Sequence, residues 1–248
     1  MHFPNIVQEV KKLLEESNSS QPPVVLRHVV KLWEELRVEF EDLDGDAYFL
    51  DLGNIGSQIY LKKDSKKERQ RYSLAHEIGH WVLKGYGFGA STSYHSTRND
   101  NEERWCNSFA SELLMPRDWF REDVLKISVK GFLNEIFKLT TRYEVSREAF
   151  LIRITEVTPI NILKIANDGK NQTTELYKSK EMLISTNKYI EKINQRLSQH
   201  KIKDGFYIDS NIYCALHVLR YTPNINEWLA FIIPTNDGST ISSAQREK

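Results

Sequence analysis

Between Arg71 and Leu83 two histidines, His76 and His80, stand four residues apart, and Glu77 directly follows the first. On a helix, side chains at i and i+4 lie on one face about a turn apart. Two imidazoles so placed grip one tetrahedral ion. Glu77 falls roughly 100 degrees round the helix, beside the ion rather than on it. There it takes a proton from a water that zinc acidifies toward about pH 7. A hydroxide so formed would attack a peptide carbonyl, and Glu77 would return the proton to the leaving amine. Leu74, Ile78 and Val82 form an apolar stripe on another face, so a core fixes the helix while the histidines face a cleft. Gly79 costs about 1 kcal/mol relative to alanine inside a helix, which predicts a close neighbour packed against it. A short motif also arises by chance, so a third ligand is required.

Catalytic zinc takes three protein ligands and keeps one position open. The candidates lie on a second helix, Glu102 to Met115, stopped by Pro116, which cannot continue the hydrogen-bond ladder. Trp105, Phe109 and Leu113 mark its buried stripe. Glu103, Cys106, Asn107, Ala110 and Leu114 form the adjoining one, with small residues that permit close helix approach. Glu103 is thereby placed to lean toward the two histidines. Glu102 and Glu112 point elsewhere and read as solvated or capping. Cys106 is a possible ligand, but a lone partly buried cysteine is usually a small hydrophobe.

The run Gln70 to His80, followed by Glu103-Arg104-Trp105-Cys106-Asn107-Ser108-Phe109-Ala110-Ser111-Glu112-Leu113-Leu114-Met115-Pro116, resembles the ImmA/IrrE-type metallopeptidases. In that family the glutamate four residues before the asparagine of the second motif is the third zinc ligand, which the resemblance assigns to Glu103. It covers about residues 1 to 157. It implies a regulatory endopeptidase that cleaves a specific protein, typically a helix-turn-helix transcriptional repressor. The segment after 158 has no match of this kind.

The expected fold is α+β. A mainly helical, minimal zincin-like domain with a small antiparallel sheet spans 1–157, a smaller α+β domain spans 158–234, and 235–248 is a polar tail expected to be disordered. The periodicity predicts helices over residues 3–17, 24–36, 117–126 and 131–157, the last broken near Glu144. Strands at 38–43, 47–52 and 58–61, with Asp44-Gly45 and Gly53-Asn54 as turns, suggest an antiparallel meander. After Pro159, Asn161–Ala166 and Thr173–Lys178 flank an Asn-Asp-Gly hairpin signal. A helix over 183–199 and strands at 206–208, 212–221 and 228–233 follow.

A chain of 248 residues buries a substantial core. Lysine plus arginine equals aspartate plus glutamate at 34 each, which argues against a broad electrostatic footprint for nucleic acid or an anionic membrane. No stretch approaches the roughly 18 apolar residues of a membrane span, and the amino terminus has no apolar signal region. Two cysteines, Cys106 and Cys214, are expected as reduced thiols in the cytoplasm.

His95, in the polar loop between the motifs, is a candidate hydrogen-bond donor to the tetrahedral intermediate, against the plainer reading of an exposed loop histidine. Tyr94 and Tyr72 carry the same ambiguity, with packing the favoured reading for Tyr72. His2, His28, His200 and His217 have no partner at ligand spacing. The basic run from Lys62 to Arg71 reads as a solvated loop and helix start. Residues 131–157 resemble a helix-turn-helix in which Arg147 and Arg153 would face phosphate, but the dense apolar residues and zero net charge favour packing over direct nucleic-acid binding. Two rivals to the peptidase remain: a non-catalytic protein-binding regulator that keeps the metal site, and a DNA-binding one. Zn2+ is the expected ion, and Mn2+ suits the same ligand set.

Overall fold

The computed structural model describes residues 2–88, 99–128, 131–167, 172–180, 205–209, 214–222 and 226–234. His95, Tyr94, His200, the helix expected over 183–199 and the tail from 235 lie outside them. The protein is α+β, and its residues gather into two compact units, Met1–Trp119 with Thr140–Ser146, and Phe120–Leu139 with Arg147–Lys248.

The first unit opens with helix α1 (Ile6–Glu16), where Asn5 Oδ1 accepts from the backbone N–H of Gln8 at 3.1 Å, an N-cap that satisfies one of the helix's orphan donors. Val10, Leu13 and Leu14 bury its apolar side. The helix expected over 24–36 shrinks to α2 (Leu26–Val30). Strand pairing claims the remainder: β1 (Leu36–Glu41) begins where the helix was to end, and Ser57 N–H already donates to Glu35 O at 2.8 Å. Gly56 makes this approach possible. Its φ is +115°, and a Cβ there would stand 2.5 Å from the Glu35 carbonyl oxygen.

β2 (Ala47–Asp51) and β3 (Ser57–Lys62) complete a three-stranded sheet in the order β1-β3-β2. The expected antiparallel meander is corrected here. β2 and β3 are antiparallel, but β1 lies parallel to β3, with Val38 opposite Ile59. Burial explains the order. Only β3 alternates cleanly, with Ser57, Ile59 and Leu61 buried, whereas β1 leaves most of its residues exposed and β2 is half-buried throughout. The strand with the best apolar alternation takes the centre, and the Asp44-Gly45 turn joins two strands that do not pair.

Helix α3 (Lys67–Gly85) packs on this sheet and against α4 (Asp100–Leu114). The basic run at its start does more than meet solvent. Arg69 pairs with Asp46, Lys67 Nζ lies 2.6 Å from Glu144 Oε1, and Arg71 Nη1 lies 3.2 Å from Glu144 Oε2. Arg71 Nη2 also donates to Val24 O at 3.0 Å. At the other end Lys84 Nζ reaches Asp51 Oδ1 on β2 at 2.6 Å. Helix α3 is therefore fixed at both ends by charge-assisted contacts and along its middle by burial. Glu112, expected solvated or capping, is a buried cap: its Oε1 accepts from the backbone N–H of Arg117 at 2.8 Å, at the start of α5 (Arg117–Leu125).

In the second unit, α6 (Phe132–Glu135), part of α7 (Lys138–Tyr143) and α8 (Arg147–Val157) accompany a five-stranded antiparallel sheet. Its strands are β4 (Asn161–Asn167), β5 (Gln172–Tyr177), β6 (Gly205–Asp209), β7 (Cys214–Thr222) and β8 (Asn226–Pro234), in the order β5-β4-β8-β7-β6. The expected hairpin pairs Ile162 with Tyr177. The boundary expected at 157 differs from this division. Phe150, Leu151, Ile154 and Val157 of α8 are fully buried, and the helix lies on β4 and β5, so it belongs with the sheet that follows it. Thr158-Pro159 follows the end of α8. Glu144, with φ +52°, makes the break between α7 and α8. Of the two arginines proposed to face phosphate, Arg153 is 3% exposed and bonded to Glu156 at 3.1 Å, while Arg147 stacks over Phe137.

Among the described residues no helix is long and apolar enough to cross a membrane.

Candidate metal centre

Helix α3 carries His76 and His80 one turn apart, and α4 carries Glu103 in its first turn. Asn99 caps α4, its Oδ1 accepting from Asn101 N–H at 3.0 Å, and the positive end of the helix favours a carboxylate at this position. Gly79 sets the separation of the two helices. A Cβ there would stand 3.2 Å from both the Cα and Sγ of Cys106, so the absence of a side chain is what lets α4 come this close. The close neighbour that a glycine in mid-helix predicts is Cys106, which sits one turn from Glu103 and is filled into the core as a small hydrophobe.

Three donor atoms converge as a result. His76 Nε2 and His80 Nε2 are 3.2 Å apart, Glu103 Oε2 is 3.2 Å from His76 Nε2, and Glu103 Oε1 is 3.3 Å from His80 Nε2. A tetrahedral ion with bonds of about 2.0–2.1 Å separates its ligand atoms by about 3.3–3.4 Å. The donor set therefore fits one divalent cation in both chemistry and spacing, and among the described residues it is the group that gathers in this way. The histidine side chains are 12% and 9% exposed and that of Glu103 is 29%, so the triad sits at the edge of the core with one side open to solvent.

Glu77 follows His76 and is only 3% exposed. Leu74 is half-buried, and Ile78, Val82 and Leu83 carry most of the apolar packing of α3. His95 lies outside the described residues. The sequence did not assign two residues to His76. Asn107 Oδ1 lies 3.0 Å from His76 Nδ1, and the Tyr72 hydroxyl donates to the same oxygen at 2.8 Å. Tyr72, expected as a packing residue, thus faces the site. The signal was present in the spacing, since Asn107 is one turn after Glu103 and Tyr72 one turn before His76.

Comparison with known proteins agrees with this geometry. Residues 34–155 match the model of the IrrE N-terminal-like domain, a peptidase family. The chain is similar to the radiation response metalloprotease IrrE of Deinococcus radiodurans, at 31% identity over 109 residues. That alignment takes in 42% of this chain and 33% of the relative, so the chain spans about a third of the length of the curated protein it matches. Its fold resembles that of a Mycobacterium tuberculosis transcriptional regulator, with a TM-score of 0.59 at 10% identity, over 100% of this chain and 94% of the other. With His76, Glu77, His80 and Glu103 all inside the matched span, the chain belongs, through its residues 34–155, to the IrrE N-terminal-like peptidase family.

Proposed function

We propose that this protein is a zinc-dependent endopeptidase that cleaves a specific protein in the cytoplasm, a helix-turn-helix transcriptional repressor. The observation that supports it is the triangle of His76, His80 and Glu103 donor atoms, 3.2–3.3 Å on a side. These three residues would hold the ion. When bound, it supplies Lewis acidity, polarising a peptide carbonyl and bringing the pKa of water down toward about 7. Glu77, next in sequence to His76 and withdrawn into the protein, takes the proton from the attacking water. As the carbon–nitrogen bond breaks, Glu77 passes that proton to the leaving amine. Asn107 holds the His76 ring throughout.

The test pairs metal content with turnover. Purified protein is incubated with candidate repressors, and Glu77→Gln is expected to abolish cleavage while retaining stoichiometric Zn2+. Cleavage that persists in this variant would sink the mechanism. Failure of the parent chain to cut any repressor while binding Zn2+ would favour a binding role. The burial of Arg153 and the stacking of Arg147 speak against residues 131–157 as a DNA-reading surface. A gel shift that is strong at low salt and lost at high salt would reverse that judgement.

A further inference from the structure

Tyr72 and Asn107 meet at one atom. Asn107 Oδ1 lies 2.8 Å from the Tyr72 hydroxyl and 3.0 Å from His76 Nδ1. An amide oxygen accepts hydrogen bonds through two lone pairs and donates none. Both neighbours therefore donate to it, Tyr72 through O–H and His76 through Nδ1–H. A neutral imidazole protonated on Nδ1 leaves Nε2 with a bare lone pair. That Nε2 is the atom facing His80 Nε2 and Glu103 Oε2, each at 3.2 Å.

We infer that Asn107 and Tyr72 are positioning residues that set the tautomer of His76 before any ion arrives, keeping Nε2 ready to ligate. The inference rests on the reading of His76, His80 and Glu103 as ion donors. The opposite amide orientation has a definite cost. With the NH2 group turned toward His76, Nδ1 would have to accept, and the proton would move to Nε2. There it would be given to Glu103, occupying the direction an ion needs. Tyr72 selects against this state, because a phenol is a better donor than acceptor and presents its proton to the oxygen. Partners that orient a ligating histidine in this manner are worth about 10–100-fold in metal affinity.

The choice of an amide has a second consequence. A carboxylate at position 107 would also fix the ring but would add a negative charge beside the donor set. Asn107 orients His76 without doing so, leaving Glu103 as the single anionic donor and preserving the Lewis acidity of a bound cation.

Two measurements test this on the full chain. Nitrogen-15 NMR of the ion-free protein, at a pH where imidazole is neutral, is expected to show His76 as the Nδ1–H tautomer. Asn107→Leu is expected to shift it toward Nε2–H. Competition with a chelator is expected to show Asn107→Leu binding Zn2+ about 10–100-fold more weakly, Tyr72→Phe losing less than about 10-fold, and Asn107→Asp restoring parental affinity. An Nε2–H tautomer in a parent chain that binds Zn2+ overturns the inference alone, as does a folded Asn107→Leu protein with parental affinity. A parent chain that binds no Zn2+ overturns the underlying metal-centre reading, and with it the claim that His76 is held ready for an ion.

Discussion

Gly79 of α3 lies against Cys106 of α4 so closely that a single added methyl would sit 3.2 Å from the Cα and 3.3 Å from the Cβ of the cysteine. Comfortable carbon–carbon contact is about 3.5–4.0 Å. Gly79→Ala is expected to gain helix propensity of up to about 1 kcal/mol and to spend it on forcing α4 outward by a few tenths of an ångström. Its melting temperature should hardly move, while Zn2+ affinity falls as Glu103 withdraws from His76 and His80. Thermal melts with chelator competition check this pairing of effects. A variant with unchanged affinity would show that the helix spacing does not set the site.

Glu103 is the donor proposed from the second helix, its carboxylate oxygens 3.2 and 3.3 Å from His76 Nε2 and His80 Nε2. Glu103→Gln keeps the size of the side chain but replaces a charged donor with a weak one. The expected loss of Zn2+ affinity exceeds the roughly 100-fold upper range for residues that merely orient a ligand. Metal analysis after dialysis against a weak chelator checks it. Equal metal content in variant and parent would place the third donor elsewhere.

Asp51 gives a pH dependence with a defined sign. Burial pushes its carboxyl up, but the Lys84 ammonium, the Gly53 N–H and the Ser57 hydroxyl together outweigh that and hold it below the usual carboxylate value. A group lowered in the folded state adds stability above its unfolded pKa of about 3.9, and that stability disappears as pH falls through the folded value. Asp51→Asn is expected to cost about 1–2 kcal/mol at neutral pH, as befits hydrogen bonds to a charged group. The gap to the parent should close below about pH 3. Urea unfolding at both pH values measures it, and a gap that persists in acid would rule out the ionised carboxylate as its source.

Glu144 neutralises Arg71, whose side chain is 14% exposed and whose pKa is lowered by burial against the pull of Glu144. Glu144→Gln keeps the shape but leaves the guanidinium without its counter-charge. The expected destabilisation is about 1–3 kcal/mol, below the range for a fully buried pair because Glu144 is 29% exposed. Glu144→Gly relaxes the left-handed backbone at φ +52° and should recover part of this loss. If the glycine variant is the less stable of the two, the left-handed backbone at Glu144 is not a source of strain.

The residues proposed to hold the ion were legible from local spacing and, for the role of Glu103, from the family resemblance. His76 with His80, and Glu103 with its stripe on α4, follow from the 3.6-residue period alone, and a glycine in mid-helix announced a neighbour without naming it. Strand β3 was likewise readable from its alternation. What the amino-acid order left open were other choices between distant partners: that Cys106 is the neighbour of Gly79, that Asn107 and Tyr72 meet at His76, and that β3 enters between β1 and β2. Those depend on contacts between segments far apart in the chain, where burial of Ile59 and Leu61 outweighs a favourable turn at Asp44-Gly45. Helix α8 shows the same division of labour. Its start after Glu144 was expected from local signals, but only its packing on β4 and β5 decided which unit it joins.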